Sequence, residues 1–152
     1  MEPADKQYRA LTIDAWWAHA IAHGAKRVEN RSWRTHYRGG LLIHAGRTTR
    51  RDDEAIEAIR GIAPPLIPLG HAGLVAAGRG RIVAVAELVD CIPVEQRPGD
   101  PWACGPWCWV LDRVRPLPYP VAAIGLQGLW CPGGELMRQV GRQLASISAQ
   151  AR

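Results

Sequence analysis

Apolar and polar positions alternate along this chain in two rhythms, and they divide it into short strands and three helices. Arg9–Ile13 is a brief apolar run that predicts a first strand. Asp14 stands where a helix cap belongs, Trp17, Ala20 and Ile21 recur at helical spacing, and Gly24 supplies a stop, so a helix is expected to about His23. Arg27–Trp33 alternates with period two and Leu41–Ala45 is strongly apolar; the turn near Arg38-Gly39-Gly40 suggests that these two strands pair as a hairpin-like unit. Thr49 or Asp52 opens a short helix to about Arg60, ended by Gly61, and the Pro- and Gly-rich stretch 63–80 reads as irregular. In Arg81–Asp90, Ile82, Ala84, Ala86 and Leu88 face one way and Val83, Val85 and Val89 the other, the mark of a central strand covered on both sides. After a loop over 93–106, Trp107–Arg115 is expected as a strand. A Pro-rich link (Pro116, Pro118, Pro120) then leads to a short strand in Gly125–Trp130. Glu135–Ala149 closes the chain as an amphipathic helix with Leu136, Val140, Leu144 and Ile147 on one face.

Five or six short strands with helices threaded among them predict an α+β fold built on a small, partly open β-barrel with flanking helices. The expected division is a flexible N-terminus at 1–8, one domain at 9–132, and the helix of 133–152 packed on that domain. The length, 152 residues, suits one domain with a real core. With 47% apolar and 22% charged residues, the composition excludes a wholly disordered chain. The polar N-terminus and the lack of an 18-residue apolar run argue against a signal peptide and a membrane span, so a cytoplasmic location is expected. In that reducing compartment the four Cys are read as free thiols. Cys104 and Cys108 lack the further His or Cys that would complete a zinc pattern, so neither metal nor cofactor is expected.

Charge changes the picture modestly. Lys and Arg exceed Asp and Glu by 19 to 14, and Arg dominates the cations, which suits phosphate contact and base stacking. The densest polar and aromatic segment runs from Gly24 to Arg34, extended by His36, Tyr37 and Arg38. In a strand, Arg27, Glu29, Arg31 and Trp33 project to one side. Two cations, a carboxylate and an indole together are costly in a dry core, so they either line a wet cleft or form a structural ion pair on a solvated face. Glu87 poses the same question in the central strand: it is expected to meet Arg31 or Lys26 across the barrel, as an ion pair or as a pocket floor.

Gly24, Lys26, Glu29 and Arg31 reproduce a G-x-K-x-x-E-x-R pattern. Together with Leu11-Thr12-Ile13, Trp17-Ala18, Tyr37-Arg38-Gly39, Leu42-Ile43-His44-Ala45 and Gly105-Pro106-Trp107, they make the chain resemble the ASCH family of the PUA-like superfamily over about residues 9–130. Where family members often read Gln-Pro-Trp, this chain has Ala15-Trp16-Trp17, which removes a polar cleft contact and leaves Trp16 as an added aromatic surface. The resemblance implies a PUA-like barrel whose cleft takes RNA, DNA, or a nucleoside or nucleotide. In that reading Arg27, Arg34 and Arg38 hold phosphates, and Trp16, Trp33, Tyr37 or Trp107 stacks on an unpaired base. Lys26, Glu29 and Arg31 read the base edge, with Glu87 nearby. Trp17, Trp109 and Trp130 are assigned to the core. The alternative the resemblance carries is a hydrolase: an acetylcytidine-type amidohydrolase with Lys26 and Glu29 or Glu87 as the acid–base pair, or a ribonuclease using Lys26 and Glu29. His36 or His44 would support the ribonuclease, although His44, in an apolar strand, reads as a satisfied core histidine. The position of the amidohydrolases' Thr nucleophile is held here by Glu29, which cannot replace a hydroxyl. Oligomeric state is left open.

Overall fold

The computed structural model describes residues 7–150; residues 1–6 of the expected flexible N-terminus lie outside the described residues, and Tyr8 already belongs to the first strand. Strands β1 (Tyr8–Ile13), β2 (Val28–Arg31), β3 (Gly39–Ala45), β4 (Arg81–Pro93), β5 (Trp107–Ala122) and β6 (Leu129–Trp130) form one sheet. Its order is β2-β5-β4-β3-β1-β6, and the two end strands do not pair with each other, so the barrel stays open. Helices α1 (Ala15–His23), α2 (Asp52–Ile62) and α3 (Gly134–Gln150) complete the α+β fold that the pattern predicts.

Alternation along the strands builds two cores. On β1 and β3, Leu11, Ile13, Leu41 and Ile43 face α1, where Trp16 and Ile21 join them, together with Trp109 of β5. Ala10 and Leu42 face the other way, against Trp130 and Val140 of α3. Both faces of β3 are thus covered, which explains its near-continuous apolar run. Beneath α3, Gln143 exchanges hydrogen bonds with the Tyr119 backbone, its Nε2 donating to the carbonyl at 2.6 Å.

The register corrects several expectations. β2 pairs antiparallel with β5, not with β3; β3 lies between β4 and β1, and its pairing with β1 is parallel. Strand pairing is non-local, so an adjacent turn is a poor guide to it. In β4, His44 pairs with Ile82 and Ile43 with Ala84, so Val83 is an inserted residue. That bulge turns Ile82 into the second core, whereas Ala84, Ala86 and Leu88 stay in the first. The prolines do not end β5 but lie in its irregular part. Val121 pairs with Ile82 and Pro116 with Ala84, so Leu117–Pro120 spans a stretch where the ladder is interrupted and a missing N–H is tolerated.

Helix ends differ as well. Asp14 precedes α1, but its carboxylate makes no cap bond; it takes the Arg51 guanidinium at 2.8 and 3.1 Å, and only its backbone carbonyl enters the helix. A two-toothed guanidinium contact is stronger than a neutral cap. α2 runs past Gly61 to Ile62, and nothing stands near the Gly61 Cα that would demand a glycine. No helix among the described residues is long and apolar enough to cross a membrane.

Candidate functional site

The parallel pairing of β1 with β3 brings their C-terminal ends together, and the next residues of the chain turn away there and leave a hollow. A cleft of about 650 Å³ opens at this point, lined by Thr12 of β1, His44 of β3, Gly46 and Arg47 just beyond it, Arg31 and Trp33 at the end of β2, and the loop 124–128. Ligand pockets commonly fall in this size range, and a nucleotide fits within it. The wall is mixed in chemistry: two guanidinium groups, an indole, a hydroxyl, an imidazole, a carboxamide and two aliphatic side chains. Ile124 and Leu126 are 87% and 60% exposed, so the loop holds apolar surface out to solvent at the rim.

Behind the cleft lies a buried chain of charges built from the K-x-x-E-x-R spacing. Lys26, 2% exposed, donates from Nζ to the Val28 carbonyl and to Glu29 Oε1 at 3.2 Å. Glu29 Oε2 accepts from Arg31 Nε at 3.1 Å, and Arg31 Nη2 donates to the Thr12 carbonyl at 2.9 Å. The indole of Trp17 lies 5.6 Å from the ammonium and closes it off further. Among the described residues the Nη1 N–H groups of Arg31 have no partner, and this guanidinium faces the cleft. Lys26 and Glu29 do not line it; they position Arg31.

Trp33 lies just past β2, 39% exposed, with its ring edge-on to Trp109 at 4.7 Å and 88°. Trp109 Nε1 donates to the Trp33 carbonyl at 3.2 Å, which fixes the backbone, and the Trp33 side chain lines the cleft. Across the opening, Arg47 is exposed and has no carboxylate partner among the described residues. His44 is 2% exposed, yet both ring nitrogens are bonded: Nδ1 to Thr12 Oγ1 at 3.0 Å and Nε2 to the Ala123 carbonyl at 2.8 Å.

Of the residues singled out from the sequence, the cleft gathers Arg31 and Trp33, with Lys26 and Glu29 behind them. The others lie elsewhere. Trp16 is 3% exposed and packs in the first core, so it offers a base no face; its neighbour Trp17, assigned to the core, is the half-buried one. Arg27 folds back and donates from Nη1 to the carbonyls of Ile21, Gly24 and Lys26, closing the C-terminus of α1 instead of meeting phosphate. Arg34 lies over the Trp107 ring at 5.5 Å, so each occupies the other. Tyr37 donates to the Gly40 carbonyl at 2.6 Å, and burial pushes its phenol above the ordinary range. Arg38 spans the Thr35 and Tyr37 carbonyls and reaches Asp90 at 3.5 Å. Glu87 meets neither Lys26 nor Arg31: it pairs with Arg113 at 2.8 Å on another face.

No short motif joins Thr12, Arg47 and the 124–128 loop; the β1–β3 register sets Thr12 beside His44, and the chain beyond β3 and before β6 brings the others to the same cleft. All four cysteines are free, with Cys91 and Cys108 buried and Cys104 and Cys131 exposed, and burial raises the Cys108 thiol. No cluster of three metal-ligating side chains occurs among the described residues.

The signature chain of Lys26, Glu29 and Arg31 lies within a match to the ASCH domain family model over residues 11–104. The chain belongs to the ASCH domain family. Solved structures agree on the fold. ASCH from Zymomonas mobilis superposes with a TM-score of 0.55 at 13% identity, covering 91% of this chain and 96% of its own. Two single-substitution variants of that ASCH protein give 0.57 at 14% identity and 0.56 at 13%. At such identities the likeness concerns architecture alone. No curated protein matches the sequence.

Proposed function

We infer that this ASCH domain binds single-stranded nucleic acid and takes one unpaired nucleotide into the cleft between Trp33 and the 124–128 loop. One observation carries the reading: a guanidinium locked in place from behind by a buried carboxylate, its free N–H edge turned into a nucleotide-sized cleft beside a half-exposed indole. Fixing Arg31 in advance lowers the entropy cost of using it. Its planar N–H groups suit a phosphate or the acceptor edge of a base. Trp33 offers a stacking face worth about 1–3 kcal/mol per base, and Leu126 lies at the same opening to cover it. Arg47, unpaired at the rim, suits the neighbouring phosphate.

The cleft has room for about one nucleotide, which suits an unpaired base of a flexible strand over a rigid duplex. Hydrolysis by Lys26 and Glu29 has less support, because the ammonium is enclosed and already bonded to a carbonyl and a carboxylate. Fluorescence-anisotropy titration with labelled single-stranded RNA, single-stranded DNA and duplex DNA at two salt concentrations tests the reading. Binding should favour single strands, weaken with salt, and weaken roughly tenfold or more in Trp33→Ala. Equal or tighter binding of duplex, or binding indifferent to Trp33 and Arg31, would sink it.

A further inference from the structure

The arginines just beyond β3 are of two kinds. Arg51 is committed to Asp14 at 2.8 Å, and Arg79 to Asp52, with a further bond from its Nη1 to the Thr48 carbonyl at 3.0 Å. These two ion pairs hold the turn between β3 and α2 in place. Arg47 and Arg50 in that turn, and Arg81 at the start of β4, are exposed, and none of them has a carboxylate partner among the described residues. The register brings Arg81 to the same end of the sheet, because it pairs with Ala45, two positions before Arg47. Three unneutralised guanidinium groups on one short stretch of surface repel one another, and an anion laid across them relieves that repulsion.

The seat of Arg47 joins this surface to the cleft. A Cβ built on Gly80 would stand 2.7 Å from Arg47 Nε and 2.8 Å from its Cζ, so the guanidinium rests on bare backbone. Gly80, at φ +73°, donates to the Ala45 carbonyl at 2.7 Å and accepts from the Ala123 N–H at 3.1 Å. The backbone beneath Arg47 is thus tied both to the end of β3 and to the residue before the 124–128 loop. Arg47 itself lines the cleft, and Arg50 follows it within the same turn. Beyond Arg50 the sign reverses: the first turn of α2 carries Asp52, Asp53 and Glu54, and the last two are exposed. Their charge repels a polyanion, so the basic surface stops at Arg50 on that side.

We propose that Arg47, Arg50 and Arg81 form a phosphate track that leads out of the cleft and carries the nucleotides next to the one held inside; this rests on the strand-binding reading above. Guanidinium groups suit phosphate oxygens, and contacts of this kind add affinity without reading sequence. The track fixes the side by which the chain leaves the cleft, past the end of β3. The paired arginines, Arg51 and Arg79, take no part in it beyond supporting the turn.

The test is fluorescence anisotropy with the full chain and labelled oligouridylates and oligothymidylates of increasing length, at several salt concentrations. Affinity should rise with length to about four nucleotides and then level off. Arg50→Gln and Arg81→Gln, with folding verified by circular dichroism, should each make the slope of log affinity against log salt shallower by about 0.7. Arg115→Gln should leave that slope unchanged, and Trp33→Ala should lower affinity without altering it. Trp33-dependent binding with the same salt slope in Arg50→Gln, Arg81→Gln and wild type overturns the track and leaves the cleft standing. Absence of binding at every length, or binding indifferent to Trp33, overturns the cleft reading and the track with it.

Discussion

Removing Glu29's charge should damage this protein more than removing Lys26's, and the asymmetry follows from who pairs with whom. Lys26 has one counter-charge, Glu29 at 3.2 Å, whereas Glu29 has two, because Arg31 lies 3.1 Å away on its other oxygen. Glu29→Gln therefore strands an ammonium that is 2% exposed with no anion beside it. An uncompensated buried charge costs about 3–5 kcal/mol. Lys26→Met keeps most of the side-chain volume and leaves the carboxylate paired with Arg31, whose side chain is 23% exposed. The loss is then two acceptors with one donor fewer, about 1–3 kcal/mol. For a domain of this size, about 1 kcal/mol moves the melting midpoint by about 2–4 °C. Glu29→Gln should drop it by about 10 °C, and Lys26→Met by about half that or less. Urea unfolding of both variants and of the double variant reads the difference directly, and the double variant should be more stable than Glu29→Gln alone. If Lys26→Met is the more damaging single change, the buried-charge account of the signature is wrong.

Further consequences are as direct. Arg27→Ala removes three contacts to the end of α1 and should cost about 1–2 kcal/mol of stability while leaving strand binding unchanged, as denaturation and anisotropy on the same sample would report. Gly125→Ala forces a methyl group against Thr12 and His44 and should weaken ligand binding, whereas Gly133→Ala, where nothing lies within 4 Å, should not. Trp33→Ala should cost binding about 1–3 kcal/mol yet stability only about 1 kcal/mol, the share of its edge contact with Trp109. His19 is held below the ordinary 6.5 first by burial and then by neighbouring His23. The unfolded chain therefore takes up this proton first, so the stability present above about pH 6.5 falls as pH drops through the lowered folded value. Melting curves of wild type and His19→Asn over that range should converge at acid pH; parallel curves would refute the assignment.

The elements with strong periodicity were legible from the residues: β1, α1, β3, β4 and α3 each carry a run long enough to declare its face. What the pattern could not supply was non-local. Arg27–Trp33 reads as one partner of a hairpin, but its backbone donors go to β5, about eighty positions on. Trp16 and Trp17 are neighbours on one helix turn, equal in apolar weight, and only the packing of α1 over β3, β4 and β5 decides which is inside. Val83 looks like any alternating residue until the bulge at His44 and Ile82 reverses the faces beyond it. The signature residues were visible as a set, but strand alternation could not say that Lys26 and Glu29 stand behind the cleft and only Arg31 in it. Thr12 and His44 lie 32 positions apart and become a pair through the parallel register alone.

A crystal structure with a short single-stranded oligonucleotide bound tests the central claim most directly. The account predicts one base in the cleft against Trp33, with a phosphate or base edge on Arg31 and the next phosphate at Arg47. A strand lying on the opposite face, along Arg113 and Arg115, with the cleft empty, would contradict it.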